Sequence, residues 1–267
     1  YREGDLLVLS KTNRLSTVHH RARMDYVGVR LLSDDGRTIG ELRLLGHLTS
    51  RAHMESVTRI PILRRTRAAV AESDDLVEGS HDQKAVVTLV ETFPKDELFG
   101  LPTEDLRKVV LGLLALQERA RVRLFVRRDL LDRGVRILVA LPRERFTAEL
   151  RRRLQDLFVE RFGGSDADHH LSLDRSDLAR LHFTVWVEGP AAPEVDFEAL
   201  EAEVLELTRS WNERVADEIL ARGGERALVD KWARRLPDYY KASTAPVIAD
   251  GDISNLERLE ASGRAAL

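Results

Sequence analysis

The sequence predicts an α+β fold, in which an antiparallel sheet carries helices on one face. Residues 121–127 and 135–141 alternate apolar and polar side chains with a period of two, which is typical of strands. Apolar residues then recur at helical spacing from Phe146 to Phe162, and two further strands follow near 171–173 and 181–187. The order strand, strand, helix, strand, strand favours an antiparallel sheet with helices packed against it.

Composition indicates a folded chain with a strongly hydrated surface. Of 267 residues, 43% are hydrophobic and 33% are charged. The 42 basic and 45 acidic residues nearly cancel to a net charge of −3, which argues against a nucleic-acid partner held by bulk charge. The longest apolar run, 109–116, has eight residues. Because a bilayer crossing needs about 18, we expect no membrane partner.

Cysteine is absent, which excludes disulfides, thiolate metal sites and a cysteine nucleophile. A reducing compartment fits this composition, and we expect the protein to be cytoplasmic.

The first 53 residues are predicted to be strands. Asp35-Gly36 lies between the apolar stretches 27–32 and 39–45, and glycine at this position favours a hairpin. Three or four strands without a helix over one face form too small a unit to stand alone. We therefore expect the chain to continue a longer polypeptide.

Helical spacing begins at about residue 60. Pro61 precedes a predicted helix over 62–72, and Ser80 with Gln83 has the pattern of a capping box. Pro94 is expected to end that second helix. A third helix is predicted from Thr103 to near Glu118, as a second helix covering the sheet. This element order is that of ferredoxin-like and ACT-type modules.

The C-terminal part of the sequence is predicted to be helical. Residues 189–193, Gly-Pro-Ala-Ala-Pro, indicate a linker. Asp196 is expected to cap one long helix whose apolar face runs from Phe197 to Ile219. A last helical segment contains Trp232 and extends to the end of the chain.

The sequence offers no residue for a catalytic, cofactor-binding or metal-binding role. It contains no Gly-x-Gly-x-x-Gly, no phosphate loop of the Walker type and no His-Glu-x-x-His. His169 and His170 are adjacent, as are His19 and His20, and neighbours on a strand point to opposite faces, so neither pair forms a ready metal site.

One face of the predicted sheet collects arginine and aromatic side chains out of phase with the apolar set. This face is a candidate ligand-binding or interface surface, or alternatively a solvated face. Two arginines at the strand-to-helix junction are further candidates, because free backbone N–H groups there favour anions. The candidate residues are Arg123, Phe125, Arg127, Arg136, Arg143, Arg145, His182 and Trp186.

Several segments, in order along nearly the whole chain, resemble the large NAD-dependent glutamate dehydrogenases of bacteria. The most specific combination is Arg121–Asp129 followed by Pro142–Phe146. The other resembling segments are Leu7–Asn13, Ser16–His19, Met24–Val29, Ser80–Ala85 and Glu91–Phe99.

The resemblance implies a regulatory fragment, because the N-terminal half of that family carries ACT-like and PAS-like domains, with the cofactor site downstream. It implies the strand-rich end of a PAS-like domain at 1–60, a helical connector at 61–79 and an ACT-like domain at 80–188. A linker at 189–195 and a helical segment at 196–267, leading to the next module, would follow.

The resemblance also implies what the parent enzyme does: it oxidises L-glutamate with NAD to 2-oxoglutarate and ammonium, in glutamate catabolism. We expect NAD in the parent enzyme and no cofactor in this fragment. The expected partners are other domains and subunits of the parent, a homo-oligomer, and an amino-acid effector.

Two hypotheses of different classes follow. The first is a non-catalytic regulatory and assembly fragment of an NAD-dependent glutamate dehydrogenase. The alternative is a stand-alone RNA- or anion-binding α+β module that uses the arginine and aromatic face. A third and weaker hypothesis is an independent enzyme.

Overall fold

The computed structural model describes residues 6–18, 22–72, 76–117, 121–128, 134–173, 177–188, 194–233 and 235–263. It divides into two compact units, 1–204 and 205–267. The linker predicted at 189–193 and the pair His19-His20 lie outside the described residues. Among the described helices, none combines the length and the apolar content that a bilayer crossing requires.

The first unit opens with three antiparallel strands, β1 (Leu7–Leu15), β2 (Arg23–Leu32) and β3 (Thr38–Gly46), in that order across the sheet. The hairpin predicted at Asp35-Gly36 joins β2 to β3, and Gly36 has a φ of 81°. This left-handed backbone explains why glycine is needed there.

Short and medium helices follow: α1 (Ser50–Met54), α2 (Pro61–Ala71), α3 (His81–Glu91), α4 (Lys95–Gly100) and α5 (Thr103–Gln117). Ser80 caps α3, because its hydroxyl accepts from the Gln83 N–H at 3.1 Å. Pro94 separates α3 from α4. The segment Thr92–Glu97 contains the residues between α3 and α4 and the first three residues of α4.

A second sheet contains β4 (Arg123–Arg128), β5 (Gly134–Pro142), β6 (Gly164–Leu173) and β7 (Leu178–Val187), in the order β4-β5-β7-β6. All neighbours are antiparallel, and α6 (Ala148–Arg161) connects β5 to β6. Since β7 lies between β5 and β6, these two strands run in the same direction. The result is a split β-α-β arrangement, which confirms the predicted ferredoxin-like antiparallel sheet.

The sheet carries helices on both faces, where the sequence predicted one. Phe158 of α6 contacts Phe183 of β7, with ring centroids 5.2 Å apart. On the opposite face, Leu138, Ala140 and Leu178 belong to one apolar cluster with side chains of α3 and α5. The sequence predicted that α5 and α6 cover the same face of the sheet. The α5 helix instead covers the opposite face, which was predicted to point outward.

The predicted long C-terminal helix is two helices, α7 (Phe197–Leu207) and α8 (Trp211–Ala221). Ser210 starts α8 with a full capping box, since its hydroxyl accepts from the Glu213 N–H while the Glu213 carboxylate accepts from the Ser210 N–H. This local cap outweighs the continuous apolar spacing that predicted a single helix.

The second unit continues with α9 (Arg226–Ala233), α10 (Asp238–Ser243) and α11 (Pro246–Ser262). Val215 and Ile219 of α8 pack with Trp232 and Ile253 in one apolar cluster. Trp211 donates from its indole N–H to the Thr244 carbonyl at 2.8 Å, which joins the start of α8 to the end of α10.

The second sheet leaves no room for a side chain at Gly134. A Cβ there would lie 2.7 Å from the Val185 carbonyl oxygen, whereas a Cβ at Gly40 of β3 would meet its nearest neighbour, Leu31, at 3.6 Å. We expect Gly134→Ala to lower the free energy of unfolding by about 1–3 kcal/mol, because backbone must shift. Gly40→Ala should change it by less than about 1 kcal/mol. Urea unfolding measures both, and equal effects would contradict the packing described.

Candidate functional site

The sequence-predicted residues of the second sheet share one face. Arg127 pairs with Arg136 across β4 and β5, Arg136 pairs with Thr184, and His182 and Trp186 follow the same phase on β7. Arg123 and Phe125 complete the set on β4. Arg143 and Arg145 do not join it, because they lie in a 3₁₀ turn after β5.

Helices α3 to α5 cover much of this face. Arg136, His182 and Trp186 are buried, with 6%, 2% and 3% of their surfaces exposed. Phe125 and Arg127 are half-buried, and Arg123 at the edge is exposed. The face is an internal interface, and the sequence could not indicate which helices form its other side.

Glu97 of α4 is the centre of a buried charged network on this face. Its carboxylate lies 3.1 Å from Nδ1 of His182 and 3.9 Å from a guanidinium nitrogen of Arg127. Asp96, its neighbour, lies 3.6 Å from Arg136. The helix residues Asp96 and Glu97 thus meet basic side chains from three strands.

Burial by itself raises the pKa of the Glu97 carboxyl, but His182, Arg136 and Arg127 together lower that pKa to about 2. Glu97 is therefore ionised at neutral pH and can only accept hydrogen bonds. It follows that Nδ1 of His182 carries the proton that it shares with Glu97.

A second contact ties the same helical segment to the sheet. The Arg180 side chain of β7 is completely buried, and its guanidinium donates to the Thr92 hydroxyl at 2.9 Å. Ser172 of β6 donates to the Thr92 carbonyl at 3.3 Å. Phe93 meets the His182 ring edge-on at 4.8 Å. The segment Thr92–Glu97 thus joins helices to sheet through both polar and aromatic contacts.

A cavity of about 790 Å³ lies beside this segment. Its wall combines residues of β1, β2 and α1 with the start of α4 and the inner face of β5, β6 and β7. The charged and histidine residues that line it are Lys11, Arg23, His53, Glu91, Lys95, Asp96, Glu97, Arg136, Asp168, His169, His170 and His182.

The N-terminal sheet contributes a fixed part of the cavity wall. Lys11 of β1 pairs with Asp25 of β2 at 2.6 Å. The Arg23 guanidinium lies 4.4 Å from the centre of the Trp186 ring, while the Trp186 indole donates to Asp168 at 2.8 Å. This stack joins the first sheet to the second.

Histidines on the cavity wall are close but do not form a metal centre. His170 of β6 has its ring centroid 6.2 Å from that of His182, and burial, with the charge of His182, lowers the His170 pKa. Across the described ranges, no group of three or more His, Asp or Glu side chains is arranged to hold a metal ion.

Sequence reasoning missed Thr92, Lys95, Asp96 and Glu97 as site residues. The available signal was the pair of carboxylates two and three residues after Pro94, in the first turn of a new helix. Their partners lie on strands far along the chain, and for Glu97 and His182 the separation is 85 residues. Local pattern carries no information on such a pairing.

Two family models match parts of this chain. Residues 123–212, which include the second sheet and α6, match the ACT2 domain of glutamate dehydrogenase, and residues 60–119, which include α2 to α5, match its helical motif 1. The chain belongs to this glutamate dehydrogenase family. The Thr92–Glu97 contacts described above are thus contacts between helical motif 1 and the ACT2 domain.

Curated relatives agree along the full chain. The NAD-specific glutamate dehydrogenases of Halomonas elongata and Pseudomonas aeruginosa are 31% and 32% identical to it, over 98% and 96% of its length. That of Mycobacterium tuberculosis is 29% identical over 96%. The chain spans 16% of the length of each of these relatives.

The residues of this chain do not fit the nicotinamide dinucleotide that the relatives' names imply. Such cofactors bind at the carboxyl ends of parallel strands beside a glycine-rich turn. Both described sheets are antiparallel, and the sequence lacks Gly-x-Gly-x-x-Gly. The predicted division of the chain at residues 61, 80, 189 and 196, and the PAS-like assignment of 1–60, stay predictions.

The pKa of Glu97 predicts how stability depends on pH. Because that pKa is about 2 in the folded chain and 4.5 ordinarily, the ionised carboxylate stabilises the fold above about pH 4.5. The contribution, of the order of 3 kcal/mol, is lost as pH falls from about 4.5 to about 2.

Glu97→Gln should remove this pH dependence, so the urea stabilities of the two proteins should differ at pH 7 and converge at low pH. Glu104→Gln, at an exposed position of α5, is the control and should follow the wild type. A Glu97→Gln profile parallel to that of the wild type would contradict the network.

Proposed function

We propose that this chain is a non-catalytic regulatory and assembly region of an NAD-dependent glutamate dehydrogenase. The observation that carries the proposal is the polar join between helical motif 1 and the ACT2 sheet, in which Glu97 meets His182 and Thr92 meets Arg180. Buried charged contacts of this kind hold two domains in one geometry. A fixed join suits a region that transmits or maintains an arrangement of subunits.

The proposal assigns the parent enzyme the reaction of L-glutamate, NAD⁺ and water to 2-oxoglutarate, ammonium and NADH. Hydride transfer would occur in another part of the parent polypeptide, since the antiparallel sheets of this chain do not fit the cofactor. We further propose an amino-acid effector and a homo-oligomeric, cytoplasmic parent. These proposals are supported by the family membership.

The alternative of an RNA-binding sheet face finds little support. Base stacking needs accessible aromatic rings, yet Trp186 is buried and stacked by Arg23.

A direct test compares the chain with its parent enzyme. The isolated chain should produce no NADH from glutamate and NAD⁺, while the full-length enzyme should. Calorimetric titration of both with a panel of amino acids would then identify an effector. The absence of heat with every amino acid would leave assembly as the remaining proposed role of this region. Turnover by the isolated chain would overturn the proposal.

Thr92→Val in the full-length enzyme tests the join itself. The change keeps side-chain shape and removes the hydroxyl acceptor of buried Arg180, so it should cost about 1–3 kcal/mol in stability. We expect it to shift the half-saturating effector concentration, or the dissociation constant of the oligomer, by about fivefold or more, with kcat for glutamate without effector nearly unchanged.

Thr88→Val is the matched control, because Thr88 lies one turn earlier on α3 and is exposed. It should leave both quantities as they are in the wild type. Equal behaviour of the Thr92 and Thr88 variants would count against a regulatory join.

A further inference from the structure

Lys95 is a buried cation on the cavity wall, and no described residue serves as its anionic partner. Its side chain is 5% exposed, and Nζ donates to the Glu91 carbonyl oxygen at 2.6 Å. No carboxylate among the described residues lies within ion-pair distance of this nitrogen. Since an ammonium has three N–H donors, two of them lack an acceptor within the described part of the chain.

The carboxylates nearest to Lys95 already have other partners. Glu91 accepts from the Val57 backbone N–H at 3.0 and 3.2 Å. Asp96 and Glu97 are matched to arginines and to His182, and Asp168 accepts from Trp186. Within the described part of the chain, none of these carboxylates is a hydrogen-bond or ion-pair partner of the Lys95 ammonium.

Burial also affects the acidity of this ammonium group. Desolvation lowers the pKa of the Lys95 ammonium, and the charge of Glu91 raises it by less. A buried charge without a counterion is unfavourable, and an anion placed beside it offsets that cost. The cavity has the space for one, because small-molecule sites are typically about 300–1,000 Å³.

His182 supplies an independent observation on the same wall. Its Nε2 is buried and has no hydrogen-bond partner in the described ranges, while Nδ1 is held by Glu97. Since Nδ1 keeps its proton, Nε2 can donate only when the ring is an imidazolium. An anion that reaches Nε2 is therefore held together with a proton.

Charged groups reach His182 from every strand and helix around it. Asp96 and Glu97 come from α4, and Arg127 and Arg136 come from β4 and β5. His170 lies beside it on β6. Asp96 and Glu97 thus face Arg127 and Arg136 around this ring.

We propose that this cavity binds an oxyanion group of a small ligand, a carboxylate or a phosphate, with Lys95 as its direct cationic partner and His182 as its proton donor. The ligand's value as a regulator rests on the proposed function, but its binding does not. Arg136 and Arg23, which also line the cavity, add positive charge to the site.

Calorimetry on the chain with inorganic phosphate, acetate and succinate, at constant ionic strength in chloride, tests the proposal. We expect saturable heat with at least one of these probes. Binding of phosphate alone identifies a phosphate site, and binding of acetate or succinate identifies a carboxylate site. The absence of saturable heat with all three overturns the proposal.

Two lysine variants decide whether Lys95 binds the anion. Lys95→Met should weaken binding by about tenfold or more, the effect expected for a lost charged hydrogen bond. It should also raise the urea midpoint of the unliganded chain, because a buried unpaired charge is removed. Lys108→Met, on the exposed surface of α5, should change neither. Wild-type affinity in Lys95→Met overturns the assignment.

His182→Asn tests whether His182 takes up a proton when the anion binds. Asparagine keeps a donor near the position of Nδ1 and removes Nε2, so binding should no longer take up a proton, as measured in two buffers of different ionisation enthalpy. Proton uptake that persists overturns the role of His182. If this variant does not fold, the two lysine variants still decide the site.

The anion site and the regulatory function fail separately. Anion binding that leaves the activity and oligomeric state of the full-length enzyme unchanged supports the site and counts against a regulatory role. Effector regulation that is unaffected by Lys95→Met supports the regulatory role and counts against this cavity as the effector site.

Discussion

The fold depends on pairing the charges that lie between the second sheet and its second layer of helices. Both central strands, β5 and β7, are buried along nearly their whole length. Strands buried on both faces are usually apolar throughout, yet β7 places Arg180 and His182 on its inner face. Such side chains are tolerated only with partners, and the segment Thr92–Glu97 provides them. The position of α3 and α4 against the sheet is therefore set by charge and hydrogen bonding as well as by apolar contact.

Local signals in the sequence were sufficient for much of the fold. Gly36 gave the hairpin and Ser80 gave a helix start, because turn and cap chemistry acts within a few residues. The strand β6 was predicted at only three positions, since its first part carries Ser165, Asp166 and Asp168, polar residues typical of an edge strand. The break before Trp211 was missed because apolar spacing continues across it.

The candidate site was predictable only in part. Alternation along β4, β5 and β7 correctly gave one face to Arg127, Arg136 and His182, because successive side chains on a strand point to opposite sides. It could not show how far the side chains of that face are buried, because their burial depends on helices that precede β4 in the chain. Lys95 and Glu97 resembled ordinary residues of a helical first turn, and only their distant partners distinguish them.

The separation of Glu97 and His182 also has a consequence during synthesis. These residues are 85 positions apart, and Thr92 and Arg180 are 88 apart. At ribosomal rates of about 5–20 residues per second, Glu97 waits roughly 4–17 s for its histidine to be translated. Through that interval the helices of motif 1 can form and pack on one another, while β7, the strand that carries Arg180 and His182, is still missing. The last strand of the sheet therefore completes both layers at once, and nascent chains that end before it expose an apolar surface to chaperones.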